Sequence, residues 1–142
     1  MKTITKTLLC ALLLLTLLLP FASASALTND ECRKIYNDAM GILASGKWTC
    51  EGYNHINTLY SDNDNSVKWD GKAKNNAYKN FTYTYFLSVS YDGRVFLIRA
   101  DEPVDPRIYE LSFSLDKDNQ CILLRGIGQS NGLSDYLFTR AK

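Results

Sequence analysis

From Gly46 onward the chain repeats its apolar residues at every second position, and that period leaves few folds open to it. Phe81, Tyr83, Tyr85, Leu87 and Val89 alternate with Asn80, Thr82, Thr84, Phe86 and Ser88, as in a strand with one apolar face. Asp92-Gly93 follows, a pair favoured in two-residue hairpin loops because both positions need positive φ. With those two residues as the loop, Val89 faces Phe96, Leu87 faces Ile98 and Tyr85 faces Ala100. A slip of one residue would scatter these apolar pairs. A second hairpin follows the acidic loop 101–106. Tyr109, Leu111, Phe113 and Leu115 form its apolar face, and residues 116–119 its turn. Phe113 then meets Ile122 and Leu111 meets Leu124. On the other face Glu110 meets Arg125, and Ser114 meets an outward Cys121.

The remaining segments extend the pattern. Residues 47–60 read as one long strand bent at Gly52, residues 61–65 as a polar turn, and Val67, Trp69 and Ala73 as the next strand. Asn131-Gly132 marks a turn before a last strand over 133–140, with Gly126 and Gly128 inviting a bulge. This gives seven strands, or eight if the long one breaks, joined as consecutive hairpins with no βαβ unit. Such a meander closes into a barrel, which removes its exposed edges, or curls into a strongly bent sheet. The expected fold is mainly β, an antiparallel up-and-down barrel over 47–140.

One helix precedes it. Thr28-Asn29-Asp30-Glu31 fits a capping box. Cys32, Ile35, Tyr36, Ala39, Met40 and Leu43 then recur at steps of three and four, so residues 29–44 form an amphipathic helix that Gly46 ends. Ahead of it, Lys2 and Lys6 lead a 14-residue apolar run from Leu8 to Phe21 that contains Pro20 and ends in small residues, Ala22-Ser23-Ala24 or Ala24-Ser25-Ala26. A spanning helix needs about 20 apolar residues, so residues 1–26 read as a cleaved signal peptide and the product as secreted or periplasmic. Removing 26 of 142 residues leaves 116, a single domain at 27–142. Losing two lysines leaves 14 basic against 15 acidic residues. Lys68, Lys72, Lys74 and Lys79 form the densest basic group, and Asp70 interrupts it. No nucleic-acid partner is expected from that balance, nor any membrane span in the processed chain.

Cys32, Cys50 and Cys121 remain after cleavage, and an oxidising compartment favours one disulfide. Spacing alone allows any of three pairings. Facing favours Cys32 with Cys121, because Cys121 points outward to a helix lying outside the barrel, whereas Cys50 shares the inward parity of Trp48.

Gly46-Lys47-Trp48 opens the first strand after a helix, and Phe138-Thr139-Arg140 ends the last. This arrangement resembles the calycin superfamily, which includes lipocalins, fatty-acid-binding proteins and avidins. The resemblance implies that Trp48 and Arg140 meet where the barrel closes, in a packing and cation–π contact. It implies the architecture and leaves the occupant open.

Few residues promise chemistry. His55 is the only histidine, Gly-x-Ser-x-Gly is absent, and Cys50 and His55 would lie on opposite faces of one strand. Residues 62–66 begin like a calcium loop, but Val67 and Ala73 stand where Gly and Glu are required. Asp101, Glu102 and Asp105 read as turn solvation, and Asn80-Phe81-Thr82 as a glycosylation acceptor triplet. No catalytic residue, metal or cofactor is expected. Aromatics are the main resource: an inward-facing set of Trp69, Tyr83, Tyr85, Leu87, Phe96, Ile98, Tyr109, Leu111 and Phe113 either fills the interior or lines a cavity. Buried tyrosine hydroxyls need partners, which favours a lipocalin-like, non-catalytic protein holding a small hydrophobic or aromatic molecule. The alternative is an extracytoplasmic protein-binding module, an inhibitor or immunity protein.

Overall fold

The capping box sets the start of the one described helix. The Thr28 hydroxyl accepts from the Glu31 N–H at 3.3 Å, and the Glu31 carboxylate accepts from the Thr28 N–H at 2.8 Å. The computed structural model describes residues 25–141 apart from 63–64, 103, 118 and 128–133. Residues 1–24 of the expected signal segment, positions 63–64 of the calcium-like loop, Gly128 and the Asn131-Gly132 turn therefore lie outside the described residues. Helix α1 is Asn29–Ala44, as its pattern predicts, with Ala39 and Leu43 buried. Its end differs from expectation. Ser45 caps it in a right-handed conformation, and Gly46 instead makes room, since a Cβ there would sit 3.3 Å from Arg140 Nη1.

Eight strands follow: β1 (Trp48–Glu51), β2 (His55–Ser61), β3 (Val67–Ala73), β4 (Phe81–Val89), β5 (Val95–Arg99), β6 (Ile108–Asp116), β7 (Asn119–Ile127) and β8 (Tyr136–Arg140). Each pairs with the next, and β1 pairs with β8 to close the barrel. At that seam Trp48 stands opposite Arg140, whose guanidinium lies 5.1 Å from the Trp48 ring. Arg140 also donates to the Ser45 carbonyl at 3.2 Å and to the Ser45 hydroxyl.

Two expectations need correction. The long first strand is a hairpin: the Gly52 N–H donates to the His55 carbonyl at 2.9 Å and turns the chain. A Cβ at Gly52 would lie 2.9 Å from the Asn57 amide nitrogen, so the turn is tight. The second correction is one residue of register. β4 and β5 are joined by the three residues 91–93, with Ser90 N–H bonded to the Arg94 carbonyl at 2.9 Å and Gly93 at φ +84°. A three-residue loop closed by a left-handed glycine replaces the two-residue loop. Leu87 therefore meets Leu97 and Tyr85 meets Arg99, while Ile98 pairs with exposed Phe86 and Phe96 with Ser88. Val95, Leu97 and Arg99 turn inward, and Phe96 and Ile98 turn outward. The β6–β7 register is as expected, including Phe113 with Ile122 and Glu110 with Arg125.

The helix covers one end of the barrel. Its start is tied to the β4–β5 turn, where the Leu27 N–H donates to the Tyr91 carbonyl at 2.7 Å. Its end meets the β8–β1 seam through Ser45 and Arg140. Those two places are opposite each other in an eight-strand ring, so α1 crosses the opening. Leu43, Trp48, Leu59, Val67, Leu97, Ile122, Leu124 and Phe138 have no exposed surface, and apolar burial of this kind is worth about 1.5–3 kcal/mol per large side chain. The expected Cys32–Cys121 bridge does not form. Cys32 Sγ lies by the Ser90 carbonyl at the β4–β5 turn, Cys121 lies on β7 opposite Ser114 and Thr139, and all three described cysteines are free.

Candidate functional site: an aromatic bowl opposite the helix

Strand parity aims side chains into the barrel, and the end away from α1 is not filled by them. There a half-open bowl of about 490 Å³ is bounded by Trp69, Tyr83, Tyr85, Tyr109 and Tyr136, with Asn57 and Phe81 between them and Tyr53, His55 and Arg107 toward the rim. Trp69 on β3 is its hub. The ring of Tyr136 meets it edge-on at 4.8 Å, with Phe138 and Tyr109 at 5.4 Å and Tyr85 at 5.8 Å. Contacts at such distances add about 0.5–1.5 kcal/mol each beyond burial. The indole N–H of Trp69 donates to the buried Asn57 side-chain oxygen at 3.0 Å, and the Asn57 amide donates to the Cys50 carbonyl at 3.4 Å. The indole plane is thereby held by a hydrogen bond as well as by packing.

Tyr85 and Tyr109 are nearly fully buried, yet no described residue bonds to their hydroxyls. Burial pushes the Tyr109 phenol up to about 12 and the Tyr85 phenol higher still, and it raises that of Tyr136. At neutral pH all three are protonated and able to donate.

Beside the bowl stands an ion-pair cluster set up by the corrected register. Arg99 faces inward with its side chain 8% exposed. Its guanidinium stacks 3.5 Å from the Tyr83 ring centre. It grips Asp101 through two bonds of 2.6 and 3.0 Å and meets Glu102 at 2.9 Å. Glu102 also accepts from the Arg107 backbone N–H at 3.2 Å and lies 3.5 Å from Arg107 Nε. The bond to Arg99 holds the Asp101 carboxyl below its ordinary value, a poor setting for a general acid.

The other reactive groups are likewise engaged or unactivated. Burial pushes the Cys50 thiol up, which suppresses the thiolate. His55 Nε2 lies 3.0 Å from the Lys79 carbonyl, and its ring packs edge-on against Tyr78 and Phe81. Among the described residues no three His, Cys, Asp or Glu side chains gather as a metal set, and no helix is long and apolar enough to cross a membrane.

Of the residues expected to line a cavity, Trp69, Tyr83, Tyr85 and Tyr109 do so. Leu87 and Leu111 are buried, and Phe113 packs on the same apolar core; none of the three borders the bowl. Phe96 and Ile98 are outside it for the register reason given above. Asn57, Phe81, Arg107 and Tyr136 are among the lining residues that pattern reasoning left out. Asn57 was hidden by the long-strand reading, which gives it the parity opposite to Trp48. Tyr136 was legible, lying two positions before Phe138 on one strand face. Comparison of the chain with family models, curated proteins and solved structures finds no match.

Proposed function

We propose that the protein is a non-catalytic receptacle, exported from the cytoplasm, that holds one small aromatic molecule in the bowl. The observation that carries this reading is the half-open aromatic bowl itself, in which the hydroxyls of Tyr85 and Tyr109, bonded to no described residue, line the same space as the Trp69 ring. Hydroxyls that open into a largely enclosed space without a protein partner are donors available to a bound molecule. A ligand acceptor group takes those bonds in place of water. A benzene-sized ring burying on the order of 200 Å² gains roughly 5 kcal/mol from apolar transfer, before hydrogen bonds and before the cost of immobilisation. The relationship to calycins belongs to the same proposal, supported by the Trp48–Arg140 contact at the seam.

A protein-binding role would draw on Tyr53 and Val104, which are 94% and 88% exposed in loops at the open end. They are single side chains, not a contiguous patch, and the bowl supports the first reading better.

The test is a panel of small aromatic compounds read by tryptophan fluorescence and thermal melting. Trp69 reports on the bowl, and Trp48, sealed under Arg140 at the other end, serves as an internal control. A ligand at one hundred times its Kd stabilises by about 2.7 kcal/mol, which for a domain of this size is a Tm rise on the order of 10 °C. A panel that neither quenches Trp69 nor shifts Tm overturns the proposal.

A further inference from the structure

The polar groups around the bowl specify the charge of its occupant. Arg107, the residue before β6, lines the bowl together with Tyr85 and Tyr109. Its Nε meets Glu102 at 3.5 Å, while no described residue bonds to its two terminal nitrogens. Arg99 is different: Asp101 and Glu102 occupy all three of its nitrogens. Of the carboxylates at the bowl, Glu51 is paired with Lys74 Nζ at 2.7 Å, and Asp135 accepts from the neutral Gly126 N–H at 3.3 Å. Two phenols and one edge of a guanidinium are the donors left unengaged, and they line one space. Bare aromatic walls attract cations, whereas the free guanidinium edge of Arg107 and the two hydroxyls offer donors to an anion.

Resting on the reading of the bowl as a ligand site, we infer that its occupant is a small aromatic carboxylate, with the ring against Trp69 and the carboxylate taken by Arg107 and the hydroxyls of Tyr85 and Tyr109. A guanidinium edge matches two carboxylate oxygens, and such charge-assisted bonds are roughly twice as strong as neutral ones. Arg107 then sets specificity, because a neutral analogue leaves its donors unmatched.

The experiment is calorimetric titration with three probes of one shape: 3-phenylpropionate, its neutral amide, and 3-phenylpropylammonium. The acid is expected to bind at least about tenfold more tightly than the amide and the ammonium compound to bind most weakly. In R107Q the acid should lose that advantage while amide affinity stays within about twofold, and R107K should keep part of it. The Arg107 side chain is 43% exposed, so R107Q should fold. Should it not, raising salt from about 20 to about 500 mM on the native protein must erode the acid's advantage and spare the amide. Equal binding of acid and amide overturns the carboxylate inference and leaves the aromatic bowl standing. An advantage that survives in R107Q removes Arg107 from the role. Tighter binding of the ammonium probe reverses the inferred charge. Binding of none of the three, with the wider panel also silent, is failure of the ligand-site reading itself.

Discussion

Replacing Tyr109 with Phe removes one oxygen from the bowl and leaves the ring in place. The ring keeps its contacts with Trp69 at 5.4 Å and with Tyr85 and Tyr136 at 6.1 Å. The residue is buried while its hydroxyl opens on the bowl and is bonded to no described residue, so its removal takes away part of a desolvation cost. That cost is about 1–3 kcal/mol for a fully dry site. The bowl is half-open to water, which places the gain near the lower end, about 1 kcal/mol. At neutral pH, Tyr109→Phe is therefore expected to raise Tm by roughly 3–6 °C and the urea midpoint by about half a molar at unchanged slope. The same variant should bind the aromatic acid several-fold more weakly, since one donor is gone.

Alkaline pH separates this account from simple repacking. The Tyr109 phenol is raised to about 12 in the folded protein from an ordinary value of 10.0. For a group raised on folding, the stability of the neutral form is fully present below pH 10 and lost as pH climbs through about 12. That span corresponds to at most about 3 kcal/mol. Water in the open bowl screens part of it, leaving on the order of 1–2 kcal/mol. Urea unfolding between pH 9 and about 12 should show native stability falling more steeply than that of Tyr109→Phe. A variant that is less stable than the native protein by about 1 kcal/mol at pH 7, or one that falls in parallel with it in alkali, refutes the reasoning, because the hydroxyl would then be well bonded or freely ionising.

Three further outcomes follow from named contacts. Gly93→Ala forces a Cβ onto a φ of +84° and within 3.3 Å of Leu27 Cδ1. Urea denaturation should show a loss of about 1–2 kcal/mol, with Gly93→Asn milder, and a neutral alanine would contradict the three-residue loop. Trp48→Ala empties the barrel seam and should cost about 3–5 kcal/mol, whereas Arg140→Gln, at the exposed rim of the same contact, should cost about 1 kcal/mol; equal losses would deny the burial difference. Alkylation and peptide mapping of the denatured, unreduced protein should find Cys32, Cys50 and Cys121 all modified. In the folded state Cys50 should react slowest, its thiolate suppressed by burial. A linked pair of cysteine peptides would count against three free thiols.

Local signals were legible where local chemistry decides. The capping box at Thr28 and the stripe through Leu43 gave α1 its limits, because both depend on residues within one or two turns. The second hairpin was legible too, since opposite charges at Glu110 and Arg125 and apolar pairs at Phe113 and Leu111 agree on one register. The first hairpin was not. Asp92-Gly93 suits a two-residue loop as well as a three-residue one, and both registers bring apolar residues of β5 to the inner face. Leu97 or Ile98 can each serve as the inward partner of Leu87. The choice moved Phe96 and Ile98 outside and brought Arg99 in. The bowl suffered the same ambiguity at Gly52, where a bend and a hairpin read alike until the partner strand is known.

The alternation of side chains by itself determined that this chain makes a meander of antiparallel strands with an apolar interior and a helix to cover it. Alternation is a property of neighbours in the chain, so it survives without coordinates. Which residues meet across the interior was decided only in three dimensions. There the loop length at Gly93 sets a register, the register sets which face Arg99 takes, and ring closure brings Tyr136 on the last strand against Trp69 on the third. The unpaired hydroxyls of Tyr85 and Tyr109 exist for the same reason: their lack of partners is a fact about distant strands, and no spacing along the chain encodes it.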